Sequence, residues 1–414
     1  SGIDLLSNGL NELLSGGMVR DLLVDGIIGG VGGVIVFLPN ILILFFFISL
    51  MEDTGYMART AFIMDKVMHL FGLHGKSFIP LVMGFGCNVP AIMATRTLEN
   101  RQDRILTMLI IPFMSCSARL PVYVLIAGAV FPQQAGNVIF GLYLVGVVIS
   151  LFMAIIFKKT LFKNQEAPFV MELPLYRSPG LRMILRHMWM KGVHYLKKMG
   201  GVILIASIII WALGYFPRQA DFTRDYSSLI EREQAALAQL EEQVEREGGQ
   251  SLKAEYEETH QALDMLEVQR ELERQEQSFI GRLGKFIQPV IKPLGFDWKM
   301  GISLLSGFAA KEVVVSTMGV LYPHTGSGEE TVSLQEKIRS QEYTDGARAG
   351  EKVYTPLTGI SFLLFVLLYL PCIAVVATVG RESGSWKWAG FVILYTTLIA
   401  WTVSFCVYQI GSLF

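Results

Sequence analysis

The segment Met83-Gly84-Phe85-Gly86-Cys87-Asn88-Val89-Pro90 sets three helix-opposing residues around two potential ligands. Gly84, Gly86 and Pro90 work against a continuous helix, since glycine is conformationally permissive and proline has no N–H to give. A break there exposes backbone carbonyls, and Cys87 and Asn88 add a thiol and an amide at the same depth. Such a set suits a borderline-soft divalent transition metal better than Mg²⁺ or Ca²⁺. A packing kink around an inert cysteine is the competing reading. A second break is expected at Tyr369-Leu370-Pro371-Cys372, where Pro371 frees the carbonyl of Leu367 one turn from a second thiol. Ser115-Cys116-Ser117-Ala118-Arg119, following Pro112, supplies a third thiol.

Charges accompany these thiols. Arg119 is expensive in hydrocarbon and is expected to pair or to line a wet path. Lys311-Glu312 either acts in function or holds a turn together, because each charge costs roughly 2.5–3.5 kcal/mol at the bilayer centre. Glu52, in Glu52-Asp53-Thr54-Gly55, can form an inner mouth for a cation, although interfacial charges are common. Cys406 has no breaker nearby and reads as packing. Gly72-Leu73-His74-Gly75-Lys76-Ser77 ends like a phosphate loop, but G-x-x-x-x-G-K-S needs glycine where Leu70 stands. His69, His74, His187 and His194 show no ligand spacing.

The elements that must hold these residues are long apolar runs. The chain has 414 residues, 52% hydrophobic and 17% charged, against roughly 25% charged in a soluble domain. Gly26 to Met51, Met199 to Pro217, Tyr354 to Gly380 and Trp388 to Phe414 carry no Asp, Glu, Lys or Arg, and Ile105 to Phe157 carries only Arg119. A helix needs about 20 apolar residues to cross a bilayer. Four runs are therefore one span each, and the fifth holds two, interrupted at Phe131-Pro132-Gln133-Gln134. The four cysteines lie inside apolar segments, against a secreted disulfide framework. The net charge of −1 says nothing about nucleic acid, but no basic cluster is interleaved with aromatics and no nucleic-acid partner is expected. Neither a signal-peptide core nor a starting methionine is present, so a fragment of something longer is expected.

Lys and Arg in short loops orient the spans. Arg96, Arg101 and Arg104, and then Lys158, Lys159 and Lys163, mark cytoplasmic loops. The fold expected is an all-α polytopic membrane protein. An extracytoplasmic segment (1–25) precedes a first repeat and following spans (26–157), a cytoplasmic loop with an amphipathic interfacial helix (158–198), a second repeat (199–217 and 279–380) and a last span (381–414). Residues 60–95 start and finish inside and 297–322 start and finish outside, so the two repeats read as inverted copies with broken or re-entrant helices. Gly84-Phe85 aligns with Gly307-Phe308, although chance similarity of small-residue helices is the alternative. Residues 218–278 are inserted as an extracytoplasmic helical hairpin. Residues 219–278 hold 16 acidic and 6 basic residues, with heptad-like spacing on either side of Gly248-Gly249.

Glu52-Asp53-Thr54-Gly55-Tyr56-Met57-Ala58-Arg59, Gly84 through Thr97, and Met114-Ser115-Cys116-Ser117-Ala118-Arg119-Leu120-Pro121-Val122-Tyr123 resemble the membrane region of the FeoB ferrous-iron transporters. Gly307-Phe308 through Lys311-Glu312-Val313 and Leu370-Pro371-Cys372 are similar to later motifs of that family. The resemblance implies two gate-type repeats, and Fe²⁺ as transported substrate rather than permanent cofactor. It implies the bacterial inner membrane, and a GTPase domain, with its GTP and Mg²⁺, that this sequence lacks. It makes Cys87, Cys116 and Cys372 the metal path, Glu52 and Glu312 weaker candidates, and Gly84, Gly86, Asn88, Pro90, Arg119, Lys311 and Pro371 the surrounding gate. The partners implied are the lipid bilayer, the GTPase domain and small Feo accessory proteins, with a homo-oligomer left open. A nucleoside or organic-solute carrier and a non-transporting membrane scaffold stand as alternatives. No nucleophile–base spacing supports an enzyme.

Overall fold

Inside a bilayer the backbone has no water to bond, and a helix satisfies its amides within the segment. The computed structural model is accordingly helical, with no β-strand among the residues it describes: 53–162, 180–217, 224–247, 277–321, 334–341 and 351–413, with separate positions in 39–51 and 256–274. Residues 1–38, Glu52, Gly248, Gly249, 322–333 and 342–350 are among those outside that set.

The first unit comprises α1 (Tyr56–Leu70), α2 (Phe78–Gly86), α3 (Asn88–Ala94), α4 (Arg101–Ile110), α5 (Leu120–Val130) and α6 (Ala135–Thr160). A 35-residue helix, α7 (Leu181–Tyr215), and an excursion containing α8 (Tyr226–Glu247) come next. The second unit is α9 (Phe279–Ile291), α10 (Trp298–Ser306), α11 (Val313–Leu321), α12 (Leu334–Ser340), α13 (Pro356–Leu368), α14 (Ile373–Ser383) and α15 (Trp386–Gly411). Start signals are readable locally. Asn100, Ser278, Asp297, Thr355 and Ser385 each accept a backbone N–H at a helix N-terminus. Pro356 follows Thr355 where its missing N–H costs nothing.

Four helical stretches among the described residues are long and apolar enough to cross a membrane: Arg101–Val130, Ala135–Thr160, Pro356–Ser383 and Trp386–Gly411. They form two classes. The α4–α5 and α13–α14 stretches are interrupted, and 67% of the most apolar part of each is buried; α6 and α15 are unbroken, and the figure is 28%. The interrupted pair therefore forms the interior and the unbroken pair the flank. In both units a serine of the flanking helix bonds a carbonyl of the interior one: Ser150 Oγ donates to Ile110 O (3.3 Å) and Ser404 Oγ to Ser361 O (3.1 Å).

Two helix–break–helix hairpins, α2–α3 and α10–α11, pack beside the interior helices. The flanks of the first are held at the end of the bundle where Lys76 meets Glu99 (2.9 Å), Lys158 meets Asp103 (3.7 Å) and Phe162 stacks on Trp388. Arg96 Nε and Arg104 bond Glu382 at the same end (2.6 Å and 2.7 Å). The segment leading into the second hairpin meets the far half of α15: Trp401 Nε1 donates to Val290 O and Gln409 Nε2 to Pro293 O (2.9 Å each). The 26-residue α15 spans about 39 Å, so the two hairpins enter from opposite ends.

One boundary differs from the sequence expectation. The amphipathic stretch 178–198 and the span 199–217 form one unbroken helix from Leu181 to Tyr215, because no proline or capping residue intervenes and Gly200-Gly201 alone does not stop it. Its basic half meets the start of the first unit, with His187 Nδ1 3.7 Å from Asp53. The excursion after it is closed at its base, where Phe279 N donates to Phe216 O (2.9 Å).

Candidate metal path at the helix breaks

At the first hairpin α2 stops at Gly86, Cys87 is extended (φ −151°, ψ 128°) and α3 starts at Asn88. Pro90 sits in the first turn of α3, where no intrahelical N–H is needed. Gly84 lies against the interior: a Cβ there would be 3.0 Å from Met114 Cβ. Cys87 is half-buried, and Asn88 is buried with Oδ1 lacking any hydrogen-bond partner. A stranded buried acceptor costs roughly 1–3 kcal/mol, so this oxygen is available to a ligand. The hairpin is tied to the interior by Ser117 Oγ, which donates to Gly86 O (2.8 Å).

The interior helices break at matching points. After α4 the chain passes through a 3₁₀ turn at Ile111–Phe113, extends at Met114 and Cys116, and re-enters helix through Ser117–Arg119. After α13 it extends at Tyr369 (φ −66°, ψ 173°) and Cys372 (φ −60°, ψ 154°) before α14. Cys87, Cys116 and Cys372 each precede the first residue of a helix.

Three carbonyls at the interior breaks are already engaged by buried basic side chains. Arg119, 1% exposed, donates to Pro112 O twice (3.2 Å each) and to Met114 O (3.4 Å). Lys311, 3% exposed, donates to Leu370 O (2.7 Å) and places its ammonium 3.1 Å from the Tyr369 ring centroid. Helix α13 ends at Leu368, and the carbonyl that Lys311 takes is that of Leu370, beside Pro371. Lys311 thereby reaches across to the interior helix. The second hairpin is tied to α14 by Ile373 N, which donates to Phe308 O (2.8 Å).

The three breaks bring Cys87, Cys116 and Cys372 within electrostatic reach of one another, and half-buried Glu312 within reach of Cys87 and Cys372. Among the described residues no three His, Cys, Asp or Glu side chains gather closely enough to form a metal cluster. The arrangement is a loose convergence of thiols, a carboxylate and an amide. Cys406 is exposed on α15, and Glu52 lies outside the described residues. Sequence reasoning missed Tyr369, which carries the ammonium on its ring and leaves its buried hydroxyl without a hydrogen-bond partner. It also missed Ser117 as the tie between two breaks. The only sequence signal for Tyr369 was an aromatic residue two positions before Pro371.

A family model described as "Nucleoside recognition" (Gate) matches residues 34–130 and 196–386, and one described as "Ferrous iron transport protein B C terminus" matches 139–191. The chain is 55% identical over 414 residues to an "Fe(2+) transport protein A/Fe(2+) transporter FeoB fusion protein" of Porphyromonas gingivalis, which covers all of this chain and 47% of the relative. It is 41% identical over 404 residues to an "Fe(2+) transporter FeoB" of Helicobacter pylori, covering 97% of this chain and 59% of that protein. A relative of the same name in Leptospira biflexa is 40% identical over 420 residues, covering all of this chain and 54% of the relative. The chain thus spans about half the length of the curated relatives it matches. No solved structure matches it.

Proposed function

The chain belongs to the FeoB family, within the membrane region of those proteins, and from that premise we propose that it forms the path by which ferrous iron crosses the bacterial inner membrane toward the cytoplasm. The observation that carries this reading is the loose convergence of three helix breaks, each bearing a thiol within electrostatic reach of the others. Thiol, amide and carboxylate groups together suit Fe²⁺, and an open set holds the ion weakly enough to release it. Cys87 and Cys372 are the soft transient ligands and Cys116 a further thiol on the path. Asn88 Oδ1 and Glu312 offer hard oxygen beside them.

In this reading the two hairpins are re-entrant, entering from opposite faces of the bilayer, and the two units are inverted repeats with the ion between them. The acidic excursion after α7 projects outside, and Glu52 stands at the inner mouth. GTP and Mg²⁺ act through a GTPase domain in the longer protein, which couples to the path from the cytoplasmic side. Radio-iron uptake by vesicles holding the full natural polypeptide tests the thiol role. Cys87→Ser and Cys372→Ser should each depress Fe²⁺ entry, and normal uptake by both variants would remove the thiols from the mechanism.

A second reading rests on one observation. Phe85 stacks on Tyr143 (6.0 Å between centroids) beside the first break, and Tyr123 meets Tyr143 edge-on. Aromatic faces near an amide are what a nucleoside base requires. Competition decides: an excess of nucleoside that leaves Fe²⁺ entry unchanged supports the metal path.

A further inference from the structure

Among the described residues no carboxylate lies within ion-pairing distance of the buried Lys311. An ammonium has three donors and no acceptor, and its recorded contacts are one carbonyl, Leu370 O at 2.7 Å, and the Tyr369 ring face at 3.1 Å. A carbonyl and a π-face are also what a free cation would take. Arg119 differs in kind: it folds back onto Pro112 and Met114 of its own break through three contacts. Its planar fork is pre-organised, whereas the lysine head is a point charge on a flexible stem. Lys311 therefore bridges two elements, the second hairpin and the interior helix, through one movable group. Cys372 follows the carbonyl it holds by two residues, and Glu312 is its chain neighbour.

Resting on the reading that a divalent cation passes here, we propose that Lys311 is a tethered plug. Its ammonium fills the Leu370–Tyr369 seat at the second break while the path is empty, and a divalent cation arriving between Cys372 and Glu312 displaces it by charge repulsion. The plug keeps the breaks joined in the absence of cargo. It also occupies the seat where stray cations would otherwise settle.

The test uses the full natural polypeptide in proteoliposomes, with Fe²⁺ entry measured with and without GTP. Lys311→Met removes the charge and keeps an unbranched stem. The methionine variant should raise nucleotide-free entry about tenfold, equivalent to about 1.4 kcal/mol. Wild-type leak in Lys311→Met, with GTP-driven entry intact, would overturn the plug. If that variant does not fold, wild type answers alone through mass spectrometry of Lys311 after a small amine-acylating reagent. Added Mn²⁺ should raise the modification, and an unchanged yield would overturn the proposal. Wild type that imports no Fe²⁺ with GTP removes the transport reading itself, and the plug with it.

Discussion

At Gly86-Cys87-Asn88 the first hairpin leaves a half-buried thiol and an amide oxygen with no hydrogen-bond partner, while at Ala310-Lys311-Glu312 the second hairpin brings a cation of its own. The backbones around them are handled alike. Each break is tied to the interior helix of its own unit, by Ser117 to Gly86 O in one case and by Ile373 N to Phe308 O in the other. The two units thus anchor their breaks in similar ways and differ in the side chains presented there. The difference teaches that a helix break in a membrane does not by itself make a ligand site. At both interior breaks the chain's own Arg119 and Lys311 cover carbonyls, those of Pro112, Met114 and Leu370, and sulfur, Asn88 Oδ1 and Glu312 stand beside them.

Four experiments can break or sharpen that contrast. The largest effect belongs to the thiols. Loss of outer-sphere partners alone lowers metal affinity by about 10- to 100-fold, so the double variant Cys87→Ser/Cys372→Ser should lose at least that much Fe²⁺ uptake. Uptake within twofold of wild type, an order of magnitude short of that, would mean that the two units do not share an ion.

Next comes the contrast between the two cations. Arg119→Met strands the Pro112 and Met114 carbonyls in a dry interior, at about 1–3 kcal/mol for each, whereas Lys311→Met strands only Leu370 O. Melting in detergent should show the arginine variant as the less stable by several degrees. Equal losses would erase the distinction between a fixed clamp and a movable plug.

Gly84 and Gly307 give a smaller effect. A Cβ on Gly307 would overlap the Tyr369 hydroxyl and Val314, while one on Gly84 would stand 3.0 Å from Met114 Cβ, a tight approach without overlap to an equally buried residue. Overpacking costs about 1–3 kcal/mol, so Gly307→Ala should fall in that range and Gly84→Ala below it. The reverse order by thermal melting would place the tighter break in the first unit.

The smallest effect is at the base of the first hairpin. Burial, opposed by Asp103 and Asp65, holds His74 below the usual histidine value of 6.5, and its Nδ1 accepts the Lys76 N–H (3.1 Å). The folded form prefers the neutral ring, so this contribution is whole above 6.5 and is lost as pH falls below 6.5 toward the folded-state value. Amide exchange at Lys76, corrected for its intrinsic rate, should accelerate on acidification through that window. A rate that does not respond to pH would detach His74 from the hairpin's footing.

Much of this architecture was legible because it is local. Gly84, Gly86 and Pro90 announced the first break and Pro371 the last, since glycine and proline act on their own backbone. The flanking pair α6 and α15 could be read as spans, but not as equivalent members of two units, because their likeness lies in burial rather than in sequence. The join of residues 181–198 to 199–215 was missed because a change of composition resembles a boundary where no breaker exists. The clasp of Lys311 on Leu370 was out of reach altogether. The two residues are 59 positions apart, and only packing decides which carbonyl an ammonium of that reach will meet.

The central claim is that an ion stands where the thiols of the two units face one another. Anomalous scattering at the iron edge, from crystals of the full natural polypeptide grown with Fe²⁺, tests it most directly. The account predicts a peak beside Cys87 and Cys372, near Glu312, that vanishes in the double serine variant. A peak elsewhere in the bundle, or one that persists without either sulfur, would contradict it.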